Sequence, residues 1–246
     1  MNPFDTERNE ICRIGRSLFE RGYVHASAGN ISVRLPEGRG FLITPTDACL
    51  GLLQPDALAH TDTAGARVGG ACASKTLALH LRIYAAAPQA QCVLHTHSTH
   101  LVALTLAGVW SAASILPPIT PYFVMKVGPV PLIPYHRPGD PAAAELVAVA
   151  IETARARGVP IRAVMLERLG PNVWHESPAG AMAALEELEE TARLWLLAGR
   201  QATALSPAQL DELRHSFGAR WFRISHKAFK SFHILFMNDN RFPKLV

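Results

Sequence analysis

Short apolar stretches with the two-residue period of a strand alternate along this chain with longer stretches of helical period. None reaches the roughly 18 consecutive apolar residues that a membrane helix requires. A first helix is expected over residues 5–21, with Ile11, Ile14 and Leu18 on one face and Gly22 placed to end it. Strands are expected over residues 31–35, 40–44, 57–61, 91–95, 130–134 and 162–166, the last being the final clear core strand. Helices are expected over residues 74–86, 99–107 and 141–157, and from Ser177-Pro178 through Leu197 with Leu185, Leu188, Ala192 and Leu196 facing inward. Ser206-Pro207-Ala208-Gln209 has the form of a capping box opening one more short helix. Prolines 117, 118 and 121 make the intervening stretch a loop. With no internal repeat, this order implies an α/β (α+β) chain with a central β-sheet sandwiched between layers of helices.

A chain of 246 residues, 49% of them hydrophobic, can bury one large core. We expect one domain over residues 1–220. After Arg220 the alanine-rich character stops, and residues 221–246 hold Trp221 and five phenylalanines among basic and polar residues. That segment reads as a docking tail or as a non-native extension such as a shifted reading frame. It carries Arg223, Lys227, Lys230, Arg241 and Lys244 against Asp239, a balance of +4 that equals the net charge of the whole chain. Residues 1–220 are therefore neutral, which argues against a nucleic-acid partner despite a pI near 9.0. The acidic amino-terminal stretch with Asp5, Glu7 and Glu10 has no signal-peptide core, so a cytoplasmic protein without membrane contact is expected. Cys12, Cys49, Cys72 and Cys92 are scattered singly and read as small buried residues.

Two sets of residues have chemistry to offer. His95 and His97 stand two apart at the end of a strand, so both imidazoles face one way and can share a metal. The same spacing also suits two hydrogen-bonded histidines, and a catalytic zinc normally takes three protein ligands. Ser27-Ala28-Gly29-Asn30, Thr44-Pro45-Thr46 and Ala73-Ser74-Lys75 are loops of small and hydroxyl residues. Such loops offer backbone N–H groups to an anion, or serve as ordinary turns and caps.

Taken in order, Gly29-Asn30-Ile31-Ser32, Ile43-Thr44-Pro45-Thr46, Ser74-Lys75 with Leu79-His80 and Tyr84, and His95-Thr96-His97-Ser98 resemble the class II aldolase and adducin family over residues 10–215. Ser98-Thr99-His100, the stretch from Leu116 to Tyr122, the stretch from Tyr135 to Pro141 and the stretch from Leu185 to Arg193 are similar to its 3-oxo-tetronate 4-phosphate decarboxylase branch. The resemblance implies a homotetramer with sites between subunits. It implies a phosphorylated sugar-acid substrate whose phosphate lies near Gly29, Asn30, Thr46, Ser74 and Lys75, and Zn2+ held by His95 and His97. Tyr122 lies where relatives present a tyrosine to a neighbouring subunit.

Two positions depart from the family. Relatives carry a proton-transferring glutamate where this chain has Thr76, and a third zinc histidine where it has Leu169. Threonine is no carboxylate base and leucine cannot ligate zinc. Glu167 would share a face with Leu169 if the strand continued, and is either a substitute ligand or a surface residue paired with Arg168. His100 and His175 have no better claim, and His25 reads as structural. In the family, zinc stabilises the enediolate left when a carbon–carbon bond breaks. The expected activities are thus a zinc-dependent lyase releasing dihydroxyacetone phosphate and CO2, an aldolase of the fuculose-phosphate type, or a non-catalytic sugar-phosphate-binding or scaffold protein like the adducin head.

Overall fold

The structure is a computed structural model that describes residues 4–222. Eight strands form one sheet: β1 (Asn30–Arg34), β2 (Phe41–Ile43), β3 (Ala59–Thr61), β4 (Arg67–Gly69), β5 (Cys92–His95), β6 (Leu132–Ile133), β7 (Ala163–Leu166) and β8 (Gly170–His175). Their order is β4-β3-β2-β1-β5-β8-β7-β6, and every pairing is antiparallel except β6 with β7. The helices are α1 (Asp5–Glu20), α2 (Leu77–Ala86), α3 (Thr99–Ala107), α4 (Pro141–Ala156), α5 (Pro178–Leu197) and α6 (Pro207–Phe217). Two apolar clusters cover the two faces of the sheet, so the expected sandwich is what forms. One joins Ile31, Leu94 and Val173 of the sheet to α1, α3, α5 and α6; the other joins Val93, Val164 and Trp174 to α2 and α4.

Local sequence explains most element ends. Asp140 caps α4 by accepting from Ala142 N at 3.0 Å, and Ser177 caps α5 by accepting from Gly180 N at 3.0 Å, each with proline in the first turn. Ser206 and Gln209 form the expected capping box on α6. Ile11, Ile14 and Leu18 are buried on α1, and each contributes roughly 1.5–3 kcal/mol by leaving water.

Several expectations need correction. The strand over 162–166 is not the last: β8 lies between β5 and β7, and its Gly170-Pro171-Asn172 opening has the composition of a turn. Pro171 is tolerated there because it is used through its carbonyl, which accepts from Thr96 N at 3.4 Å and from His95 Nδ1 at 2.9 Å. β4 is a short edge strand without an apolar pattern, and a π-helical turn at Phe123–Val127 follows the proline-rich loop. α2 begins at Leu77, three residues later than expected, because Ser74 forms a turn, with Leu77 N donating to Ser74 O at 3.0 Å. Only Cys92 is buried; Cys12 and Cys49 are half-buried and Cys72 is exposed. Trp221, the first residue assigned to the tail, packs edge-on against Phe123 in the core. The rest of that segment beyond Phe222 lies outside the described residues.

Two buried polar contacts lock helices in place, one to the sheet and one to another helix. Ser32 Oγ on β1 lies 2.7 Å from His80 Nδ1 and 2.9 Å from the Tyr84 hydroxyl, which donates to Ser32 O at 3.0 Å, so α2 is tied to β1. Glu189 of α5 is 3% exposed and accepts from His100 N at 2.9 Å, Leu101 N at 3.1 Å and His100 Nδ1 at 2.8 Å. A carboxylate from a distant helix thus satisfies the free N–H groups and positive end of α3.

Replacing Glu189 by Ala leaves those donors buried without an acceptor, and should lower stability by about 3 kcal/mol in urea unfolding. His80 gives a pH signature. Burial, together with the neighbouring His95, pushes its pKa from 6.5 down to about 3. The unfolded chain takes up this proton below about pH 6.5 and the folded chain resists it, so stability is full above that pH and falls as pH drops. Each such histidine contributes a slope of up to about 1.4 kcal/mol per pH unit. A His80→Phe variant should be less stable at neutral pH but show a flatter decline between about pH 6.5 and 4.5 in the same measurement.

Candidate active site

The expected residues meet at one end of the sheet. The loop before β1 carries Gly29 at φ +82, where a Cβ would lie 2.8 Å from His95 O and 2.7 Å from Val24 Cγ1. Only glycine lets this loop pass so close to the end of β5. From the other side Gly170 presses on Thr96, and a Cβ there would come within 1.8 Å of Thr96 O. The His95-Thr96-His97 turn is therefore gripped by backbone on both flanks.

The second and third loops are stitched to the first. Thr44 accepts from Ile31 N through Oγ1 at 3.2 Å, Thr46 N donates to Cys72 O at 3.1 Å, and Ser74 N donates to Thr44 O at 3.1 Å. All three border a cavity of about 460 Å³. Its walls include Gly29, Asn30, Thr46, Ser74, Lys75, Thr76, His95, His97, Glu167 and Leu169, so ten of the positions singled out from sequence converge. Lys75 Nζ stands 3.4 Å from Asp47 Oδ2, with both side chains largely exposed. Ser74 and Thr76 share a hydroxyl–hydroxyl hydrogen bond of 3.0 Å.

The histidine pair has a defined protonation state. His95 Nδ1 must carry the proton, because its partner is the Pro171 carbonyl, and this leaves the Nε2 lone pair free. Burial, aided by the His97 ring with its centroid 5.0 Å away, pushes the His95 pKa down to about 3. His97 is lowered as well, by burial first and then by His25, whose ring centroid is 6.4 Å away. Both imidazoles are neutral at pH 7, the form that ligates metals, and the backbone bond on His95 is the type that orients metal-binding histidines.

The rest of a zinc centre is missing. Leu169 borders the cavity with its side chain packed on the apolar cluster beneath, and Thr76 offers only a hydroxyl. Among the described residues no group of three or more His, Cys, Asp or Glu is placed to hold a metal. Two imidazoles suit a metal, but this donor set does not fit a three-ligand zinc centre.

Among the described residues no neighbour compensates. β7 ends at Leu166 and Arg168 turns at φ +63, so the continued strand that would aim Glu167 as Leu169's equal does not exist. Glu167 instead accepts from Tyr135 N at 3.0 Å. His100 is held by Glu189, and His175 accepts from Arg162 Nη1 at 2.7 Å at the far end of β8. His25 is exposed beside His97. Tyr122 is 59% exposed, lies outside the cavity, and stacks under Lys126.

Sequence reasoning did not assign a role to the loop from β6 to α4, although His136, Arg137 and Asp140 form a wall of the cavity. The available signal was the Gly139-Asp140-Pro141 helix start, which points a helix amino terminus at whatever lies before it. It also missed a row across the sheet, where Asn30 pairs with His95 and His95 with Asn172. Asn30 Oδ1 and both polar atoms of the Asn172 side chain are buried without a hydrogen-bond partner.

Known proteins share this architecture and sequence. Residues 9–196 match the Class II Aldolase and Adducin N-terminal domain. A 3-oxo-tetronate 4-phosphate decarboxylase of Cupriavidus necator is 58% identical over 219 residues, covering 87% of this chain and 97% of that protein. One from Escherichia coli K12 is 40% identical over 208 residues, covering 84% and 94%. The crystal structure of YgbL from Escherichia coli superposes with a TM-score of 0.77 at 39% identity, covering 85% of this chain and 98% of that one. A shared domain over most of the chain, near-full-length relatives and a common fold together make this protein a member of the class II aldolase and adducin family.

Proposed function

We propose that this chain binds a phosphorylated sugar acid in the cavity and acts as a carbon–carbon lyase on it, decarboxylating a 3-oxo-tetronate 4-phosphate to dihydroxyacetone phosphate and CO2. The observation that carries the reading is the convergence of the three small-residue loops, Lys75 and the histidine pair on one cavity, in a chain 58% identical to a decarboxylase of that name. Gly29, Thr46, Ser74 and Lys75 are assigned to the phosphate. Loop N–H groups and a single lysine are a common way to hold a phosphate dianion.

A 3-oxo acid loses CO2 when the electrons of the breaking bond flow into the neighbouring ketone, which becomes an enediolate. The requirement on the protein is a donor at that oxygen, and a preorganised donor typically contributes 10²–10³ in rate. Asn30, buried at the cavity wall, is assigned this place through its amide Nδ2–H group, its Oδ1 being the atom left without a partner among the described residues. His97, half-buried and held neutral by burial, is a cavity group whose ring can accept and return a proton. In relatives a bound divalent metal supplies charge at the same oxygen; with Leu169 and Thr76 in place we derive no step through it here. Cytoplasmic location and assembly as a homotetramer, with Tyr122 serving a neighbouring site, belong to the same proposal.

The second reading, a sugar-phosphate-binding protein without turnover, is favoured by Leu169 and Thr76 themselves. Titration calorimetry with dihydroxyacetone phosphate, run beside a CO2-release assay corrected for the spontaneous reaction, separates the two. Binding with release above background supports the lyase, binding alone supports the second reading, and failure to bind removes both.

The metal is tested separately. After dialysis the protein should hold well under one zinc per chain by elemental mass spectrometry. The Leu169→His, Thr76→Glu double variant should bind zinc at least about tenfold more tightly and release CO2 on the order of 10²–10⁴ faster. One zinc per unaltered chain would overturn the assignment of an incomplete centre.

A further inference from the structure

The proposed substrate has two anionic ends, and the loops assigned to phosphate account for one of them. The cavity has a second polar wall, built by the loop between β6 and α4. Arg137 stands on that loop and borders the cavity. Its guanidinium is 72% exposed, and among the described residues its one partner is Asp140 Oδ2, at 4.0 Å.

The acids nearby are already engaged. Asp140 caps α4 through Ala142 N at 3.0 Å, and Glu167 accepts from Tyr135 N at 3.0 Å. Arg137 is thus a planar, forked donor on a cavity wall whose ion-pair partner, Asp140 Oδ2, stands off at 4.0 Å.

Two helices bring this wall to face the same space as Lys75. Arg82 of α2 holds Glu145 of α4 in a two-pronged pair at 2.8 and 2.7 Å, and Arg155 of α4 donates to Ala86 O of α2 at 3.1 Å. These ties keep the same order along both helices, Arg82 before Ala86 on one and Glu145 before Arg155 on the other, so α2 and α4 run parallel. Lys75 precedes one amino terminus, Arg137 precedes the other, and Ala78 and Ala143 from their first turns both border the cavity. Asn30 on the floor, 6% exposed with Oδ1 unpartnered, adds an independent sign that a polar ligand belongs there.

We propose that Arg137 recognises the carboxylate of the sugar acid, holding it at the α4 side of the cavity while the phosphate occupies the Lys75 side. This rests on the reading of the cavity as a sugar-phosphate site. It makes Arg137 the residue that separates phosphorylated sugar acids from phosphorylated sugars and polyols of equal length. The carboxylate it holds is the group that leaves as CO2, so Arg137 orients the bond that breaks.

The test is titration calorimetry on the full chain with two stable four-carbon ligands, a tetronate 4-phosphate and the matching tetritol 4-phosphate that lacks the carboxylate. The unaltered protein should bind the acid at least about tenfold more tightly, as expected for one charge-assisted hydrogen-bonded pair. In Arg137→Gln the preference should vanish while tetritol phosphate affinity stays within about twofold. A preference that survives Arg137→Gln, or equal binding of both ligands by the unaltered protein, overturns the proposal and leaves the phosphate site standing. If neither ligand binds the unaltered protein, the phosphate reading falls and this proposal falls with it. The altered side chain is exposed on a loop, and an unchanged unfolding midpoint will verify that folding is intact.

Discussion

Everything at the functional end of this molecule depends on how tightly backbone is packed around the end of β5. Gly29 and Gly170 come from loops about 140 residues apart in sequence, yet each lies so close to the His95-Thr96 backbone that a single methyl group would collide with it. That closeness does what side chains cannot do at this distance. It fixes the direction in which two imidazoles leave the strand, and it brings a proline carbonyl to one of them. The central place of β8, a strand that begins with residues poor at making strands, follows from the same contact.

The site that results is half conserved in chemistry and half altered. The tautomer of His95, the neutrality of both histidines and the stitched small-residue loops are arranged as a metal- and phosphate-binding site would need. Leu169 and Thr76 then withdraw the groups that would complete the metal centre. Substituting a ligand by leucine leaves the surrounding fold intact, because Leu169 rests on an existing apolar cluster that accepts it without strain.

Sequence patterning carried the layer architecture, five of the six helices close to their observed bounds, and the cavity residues from Gly29 to His97. It carried them because apolar period, proline placement and caps act within a few residues of one another. α2 was recognised with its start displaced, since Ser74 looks like a cap and instead makes a preceding turn. The elements missed are those decided by distant partners. β8 is a strand because β5 and β7 flank it; β4 pairs at an edge with no burial to mark it; Glu167 leaves its expected face because Arg168 takes a left-handed turn. The role of Glu189 was equally illegible, as nothing in Leu188-Glu189-Glu190 tells which glutamate will be buried beneath a helix 89 positions earlier.

The pairing of Arg82 with Glu145 lies on the outside of the molecule and looks like an ordinary surface ion pair. Its consequence is mechanical. By coupling α2 to α4 it makes two walls of the cavity a single plate, supported along its length by the sheet beneath. Moving either helix alone would break this pair and open the apolar cluster that α2 and α4 share. A ligand held between Lys75 and Arg137 would therefore meet two charges carried on one unit, and its length would be matched to that spacing.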